Sequence, residues 1–579
     1  MALALLLLLG QFGSGLFPDA PNTEGDAALQ EEVEELLEHR IDLNRVSARE
    51  LLAIPWLNPF LAYRIAAVRD SVGGFSRAEQ LRQVPGMTAE VFDGLRPFLR
   101  VGSHRRILTG RAVSRVGSDS LGNGMPGLRV FNRLELQSRA VRITALEEKD
   151  TGESSAFDFL SAGAEFRPGR VRFLLGDLTA GFGQGLVASA PHWRSSFLDG
   201  PDRGSHSVRL VHSALEESYL RGGAVEGSSG RWSACLLGAY TGRDARLNND
   251  GSVNRLVGSG VHDDSISLAG RNAVQEATAG MSVHFGGSRA GIGLASVYSR
   301  YNRTFAPSDS DASFAGDEVL VAGANAQWKT EHYELGAEVA GSSGRGLAGS
   351  FEMTGSWPDF DSRVALRGRQ SRFFAPHGRW SSLANTKDRL DASGRLRWHH
   401  AGSSVSVSGN TYRDFELDSM PARLELRLGQ ESGRFDFALG LGLRYRVDQE
   451  RSRTARAEIG ARAGRATTAR LVLADVYPAR SESRGAMAAV LLTQGLGPAE
   501  LGLAAARISV DGSGVTMYLH EPGAGRIGAS FSTSVSCWRL SAGCGIRIGR
   551  WLRLGLKAGC AWKPEAVLDG AAQLELQCS

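Results

Sequence analysis

Two short segments of this chain place a proline at the break between helical runs: Pro55-Trp56-Leu57-Asn58 and Pro85-Gly86-Met87-Thr88. Leu51, Leu52 and Ile54 precede the first, and Val91 and Leu95 follow the second. A tight hairpin that opens a helix points backbone N–H groups outward, and such groups bind phosphate oxygens. Arg64, Arg69 and Arg82 stand near enough in sequence to add guanidinium contacts. The chemistry these residues offer is binding, to nucleic-acid phosphate or to a protein partner. Trp56 would crowd an approaching phosphate and suits stacking on a base or packing on a partner instead.

Other residue sets that can do chemistry are sparser. The run Leu175-Gly176-Asp177-Leu178-Thr179-Ala180-Gly181-Phe182-Gly183-Gln184-Gly185-Leu186 is glycine-rich, but it lacks the Lys-Ser/Thr of a phosphate-binding loop and no helical pattern follows it. It reads as a tight strand-to-strand turn with glycines in left-handed positions. Residues 243–276 form the longest stretch without alternation and hold Asn248-Asn249-Asp250-Gly251 and His262-Asp263-Asp264. Asp and His together can ligate a metal; the stretch reads rather as a long polar loop or lumen plug. His399-His400 reads as a solvated turn. The five cysteines show no CxxC and no His/Cys zinc spacing. Cys544, Cys560 and Cys578 fall in register with apolar neighbours, where Cys acts as a small hydrophobe. No Ser/His/Asp set or paired carboxylates occur at local spacing. We therefore expect no enzyme, no metal and no cofactor.

The elements that must position the hairpins are helical. Ile41-Asp42-Leu43-Asn44 leads to Ser47, a good N-cap with Glu50 three residues on. Leu51 to Phe60, Ala62, Ile65 and Arg69 complete the first cycle, and Gly73-Gly74-Phe75 breaks it. Ser76 as a cap, Glu79, Leu81 and Val84 open a second cycle, which Pro97-Phe98-Leu99 closes. This pair resembles the tandem helix-hairpin-helix module of bacterial competence DNA receptors (ComEA-like). The resemblance covers about 60 residues and implies a small all-α domain over 41–101 that binds DNA through its hairpins. In that family the hairpins read roughly Pro-Gly-Ile-Gly. Here the first has lost both glycines and the second keeps only Gly86. An acidic helical stretch at 21–40 lies just upstream and would repel nucleic acid.

The remainder of the chain reads as strands. Phe435, Phe437, Leu439, Leu441, Leu443, Tyr445 and Val447 alternate with Asp436, Ala438, Gly440, Gly442, Arg444 and Arg446. Alternation puts one set on each face of a strand. The run matches the length of a tilted membrane strand, about 9–11 residues, and Tyr445 suits an interfacial girdle. Leu424, Leu426 and Leu428, and Leu552, Leu554 and Leu556, repeat the pattern. The chain has 579 residues, 72 of them Gly, and its net charge of +4 favours no particular partner. A mean hydropathy of -0.17 suits a barrel whose strands turn half their side chains to a polar lumen. Residues 106–579 thus predict a large antiparallel transmembrane β-barrel of about 24 strands, within a range of 20–26. A soluble propeller would show a blade-length repeat, and none is seen.

Ala2 to Leu9 and the small residues after them predict a secretory signal over 1–20, although the first basic residue is Arg40. The Gly-Asp…Phe-Gly-Gln-Gly-Leu run is similar to a signature of large exported proteins of Bacteroidetes-like bacteria that join a helix-hairpin-helix module to a barrel. That resemblance implies a protein of the cell outer membrane with the module in the periplasm. Its partners would be outer-membrane lipid and either DNA, as a transported cargo, or a periplasmic protein docked on the module.

Overall fold

The computed structural model describes residues 41–578, apart from scattered positions of the N-terminal module (45, 47–50, 52–53, 55–56, 58, 86, 88–90 and 93–94) and several connecting segments, the longest being 102–107, 119–126, 190–206, 212–218, 379–387 and 415–421. The predicted signal and the acidic stretch fall outside the described residues, as do Ser47 and Glu50.

Alternation closes into a barrel. Twenty-four full-length antiparallel strands run from Leu108–Ser118 to Ala566–Cys578, and the last pairs with the first, Gly110 opposite Cys578. The predicted count is met. Strands such as Phe435–Arg446 and Ala290–Phe305 exceed the usual soluble length. Outward faces carry large exposed apolar side chains: Leu294 is 65% exposed, Leu175 68% and Leu236 57%. Water does not tolerate a continuous band of this kind, whereas lipid requires it.

Aromatic side chains fringe that band at both ends. Trp232, Phe285, Trp328, Tyr333, Trp398 and Phe435 stand at one end, and Tyr240, Tyr298, Tyr477, Trp538 and Trp562 at the other. From Trp232 to Tyr240 is about 27 Å of strand, of the order of the roughly 25 Å band of membrane barrels. Cys544 is exposed on this outward face, as its register predicts, while Cys235 and Cys537 turn inward and are buried.

The two ends of the barrel differ. Connections such as 230–231, 330–332, 358–359 and 497–498 are tight, and all lie at the end where Leu108 starts the first strand and Cys578 ends the last. The opposite end carries the long connections, among them 181–219, 244–273, 370–388 and 512–536. Short strands Val208–Leu210, Ala245–Leu247 and Val253–Leu256 extend that rim.

The N-terminal module has its own core. Leu43, Leu51, Ile54, Leu57, Leu61, Ala62, Ile65, Phe75, Leu81, Val84, Phe92, Leu95, Phe98 and Leu99 are buried together. Helix Pro59–Ser71 starts on a proline at its first position, where no N–H is needed. It turns Leu61, Ala62 and Ile65 into the core, and Gly73-Gly74 ends it. Ala78–Gln83 is a 3-10 turn, not an α-helix. Its start is held by Gln80, whose Oε1 accepts from the N–H groups of Ser76 and Arg77, in place of the predicted Ser76 cap. The module is also not purely helical. Ile41–Asp42 pairs in parallel with Leu99–Arg100, so the two ends of the module meet.

Candidate functional site

Asn44 explains the Ile-Asp-Leu-Asn motif. Its Nδ2 donates to the carbonyl of Phe75 at 2.8 Å, and its Oδ1 accepts from the Phe75 N–H at 2.7 Å. Leu43 beside it is fully buried. The segment before the first cycle is thereby clamped to the link before the second.

Of the candidate hairpin residues, Leu57 is a core side chain, 3% exposed, and Met87 packs against the same core. Pro85 is exposed, and its carbonyl accepts from Arg64 Nη1 at 3.3 Å. Arg69 donates to the carbonyls of Leu43 and Val46 and to Asp70 Oδ1 at 2.8 Å. Arg82 is exposed and lies over the Phe92 ring, 4.5 Å from its centroid. The structure thus brings Arg64 to the second hairpin and sets Arg69 inside the frame. Pro55, Trp56, Asn58, Gly86 and Thr88 lie outside the described residues.

Arg69 donates to the backbone carbonyls of Leu43 and Val46 from a partly buried position. Arg69→Ala will destabilise the module by about 1–3 kcal/mol, whereas Arg64→Ala will leave its folding nearly unchanged. Protease susceptibility of residues 41–101 checks both, and equal resistance of the two variants would refute the distinction.

The lumen is the second candidate site, and its contents were hidden from local sequence. After strand Val171–Ala180 the chain does not turn straight back. Residues 181–189 fold inward, closed by a bridge between Phe182 and Ala188. Gly183 and Gly185 do hold positive φ values of 63° and 88°, as the glycine-rich run predicts, but they shape an inward loop and not a strand-to-strand turn. Glu338, facing inward from strand Tyr333–Ser342, accepts from the N–H groups of Gln184 at 2.6 Å and Leu186 at 3.2 Å. A second inward segment, 371–378, meets the first where the Ser189 N–H donates to the His377 carbonyl at 2.7 Å. His377 Nε2 reaches Glu276 Oε1 at 2.8 Å, and Phe374 stacks on Phe314 at 5.1 Å. Phe182, Leu186, Val187, Phe373 and Phe374 bury the inward faces of the surrounding strands, including Val297, Val319 and Val321. The result is a plug with an apolar core against one wall. Beside its glycine loop lies a polar cavity of ≈ 470 Å³, lined by Arg172, Gln184, Glu226, His284, Asn325 and Glu352 among others.

A third inward piece is the hairpin Met517–Ala524 with Ile527–Thr533, which pairs only with itself. Met517 and Leu519 pack on Met487 and Ile508 of the wall. Glu521 sits between Arg539 and Lys557, at 2.6 Å and 2.8 Å.

The wall from Phe360–Arg369 to Thr467–Tyr477 is different. Phe360–Arg369 turns Asp361, Arg363, Arg367 and Arg369 inward, and Arg389–His400 turns Arg389, Asp391, Arg395, Arg397 and His399. Ala422–Ser432 contributes Arg423, Glu425 and Arg427; Glu450–Ala463 contributes Arg456, Glu458 and Arg462; and Thr467–Tyr477 contributes Arg470. Carboxylates here are shared, Glu458 facing both Arg456 at 2.8 Å and Arg470 at 3.7 Å. Arginines outnumber acids along this wall. Many of its side chains keep solvent contact, Arg389 at 35% and Arg462 at 30%.

The stretch 243–276 is folded at the long-connection rim. Asp264 caps helix Ser265–Gly270, accepting from the Ile266 and Ser267 N–H groups, and the Ser267 bonds hold its carboxyl below the usual range. His262 Nε2 pairs with Asp244 at 2.8 Å. Among the described residues no three His, Cys, Asp or Glu side chains gather as a metal site. His400 is exposed beside Asp359, and His399 is largely covered.

The fold therefore defines a large outer-membrane-type β-barrel preceded by a helix-hairpin-helix segment. Residues 38–100 match the helix-hairpin-helix motif family model. No curated protein sequence matches the chain. Solved structures similar to it include the translocation pore of the P pilus usher PapC, at 10% identity and a TM-score of 0.41 over 82% of this chain and 99% of that one. The ferric-catecholate import receptor Fiu from E. coli K12, in its open form, is similar at 11% identity and a TM-score of 0.35, over 83% of each chain. The copper transporter OprC is similar at 9% identity and 0.40, over 81% of this chain and 80% of that one.

Proposed function

We propose that this protein is an outer-membrane transport barrel whose helix-hairpin-helix module stands at the periplasmic mouth and receives or delivers the cargo. The observation that carries the reading is the polarity of the barrel. Tight turns face the periplasm in such barrels and long loops face outward. Leu108 begins the first strand at the tight-turn end, so a module ending at about residue 101 hangs on the periplasmic side. A wide lumen that the described inward segments fill in part is what a conduit requires. By the module's resemblance to competence receptors, DNA is the candidate cargo.

A second reading, docking of a periplasmic protein on the module, is favoured by the engagement of the arginines. Arg64 binds the Pro85 carbonyl, Arg69 binds backbone and Arg82 covers Phe92, and the first hairpin has lost its glycines.

Full-length protein in detergent, titrated with fluorescent duplex DNA across a salt series, separates the two. The controls are Arg64→Ala and a variant lacking residues 21–101. Affinity near 10⁻⁶ M that falls steeply with salt, as counterion release demands, and that disappears with the module, supports DNA handling. Absence of binding at low salt eliminates it in favour of docking.

A further inference from the structure

We propose that the unplugged side of the lumen is an anion pathway, suited to solutes that carry several carboxylate or phosphate groups; the proposal rests on the transport reading above. Three observations converge. Among the described residues the inward segments 181–189 and 371–378 cover other strands, and the hairpin at 517–533 clusters with Val472 at the edge of the arginine-bearing wall, which leaves the wall from Phe360–Arg369 to Glu450–Ala463 facing the lumen. On that wall the register sets Arg363 directly opposite Arg395, and Arg369 directly opposite Arg389. Each pair shares its carboxylate, Arg363 holding Glu352 at 2.7 Å and Arg389 holding Asp391 at 2.7 Å. Like charges opposed across a sheet are destabilising, and a further anion lowers that repulsion with fork-shaped hydrogen bonds. Finally, the arginines run the depth of the wall. Arg389 to Arg397 spans about 27 Å of strand, so positive groups are not confined to one mouth.

The plugged side is balanced instead: buried Glu276 pairs with Arg243 at 2.8 Å, and Arg172 pairs with Glu165 at 2.9 Å. Charge of one sign along a low-dielectric wall concentrates its counter-ions in the channel. The excess of arginines over carboxylates on the open side gives the pathway its sign.

The test is ion selectivity of the full-length protein in planar bilayers under a potassium chloride gradient. The wild type is expected to favour chloride, and tripolyphosphate added to one side is expected to reduce the chloride current. Arg395→Glu combined with Arg427→Glu should lower the chloride-to-potassium permeability ratio several-fold and abolish the tripolyphosphate effect. Arg507→Glu, on the outer surface beside Trp538, should do neither. Wild-type channels that favour potassium, or selectivity indifferent to the double substitution, would overturn the anion pathway and leave transport standing. Inserted protein that conducts no ions would overturn the open-lumen reading and this inference with it. If the double variant fails to insert, the selectivity of the wild type decides alone.

Discussion

Glu521→Gln is expected to cost the barrel about 3–5 kcal/mol and to loosen the hairpin Met517–Thr533 from the wall. The carboxylate is fully buried, with Arg539 and Lys557 almost as deeply placed. Its two oxygens accept from Arg539 Nε at 2.6 Å and Nη2 at 3.1 Å, and Lys557 Nζ stands 2.8 Å away. Arg539 also binds Asp569 and covers the Phe531 ring at 4.3 Å, so the hairpin is tied from both of its strands. An amide keeps the shape but leaves Lys557 and Arg539 facing each other with one carboxylate fewer. Breaking a buried pair by removing one partner costs more than the pair contributes, because an uncompensated charge stays behind. The folded band on semi-native gels should convert to the unfolded form several degrees lower, and residues 512–536 should become open to protease. A conversion temperature equal to that of the wild type would show that the network does not hold the hairpin.

Gly346→Ala is expected to expel the plug segment 371–378. A Cβ at Gly346 falls on the backbone nitrogen of Phe373 and the carbonyl carbon of Arg372, well inside van der Waals contact. Main-chain atoms cannot rotate aside as a side chain would, so either the strand or the segment must move. The strand is held by its ladder from Leu347 onward, paired on both edges, whereas the segment is held by packing and a few hydrogen bonds. Overpacking costs about 1–3 kcal/mol in a core that can adjust, and more where backbone meets backbone. Phe373 and Phe374 leave with the segment, and the His377–Glu276 contact breaks. Single-channel conductance should rise several-fold, and cells should become sensitive to large hydrophilic antibiotics. Unchanged conductance in correctly inserted protein would mean that the segment does not obstruct the lumen.

The barrel was legible because its rule is local. Alternation of Phe435, Phe437, Leu439, Leu441 and Leu443 determines which side chains meet lipid, and turn residues between such runs set the spacing from which about 24 strands follow. The outward placement of Cys544 came from the same register. The plug was not legible because its partners are remote. Glu338 lies 154 residues from Gln184 in the chain, and nothing near the Phe-Gly-Gln-Gly-Leu run announces an inward fold. The hairpin at 517–533 was hidden differently, since Met517, Leu519 and Glu521 alternate as a wall strand would but pair only with Ile527–Thr533. In the module, Leu57 looked like part of a binding hairpin, and its burial shows that the same sequence position also serves the core. Arg69 carried the charge expected of a phosphate contact and binds carbonyl oxygens of its own chain instead.

The seam between Leu108–Ser118 and Ala566–Cys578 has a kinetic consequence. Arg111 meets Glu575 across 464 residues of chain, so the ring cannot be sealed until its last strand is available. Every assembly intermediate short of that point presents two unpaired strand edges, each a template for pairing with another chain. Contacts this distant also form slowly, because loop closure must precede them. The vulnerable species in the life of this protein is therefore the nearly complete open sheet, and its survival depends on whatever holds those two edges apart from other chains until they find each other.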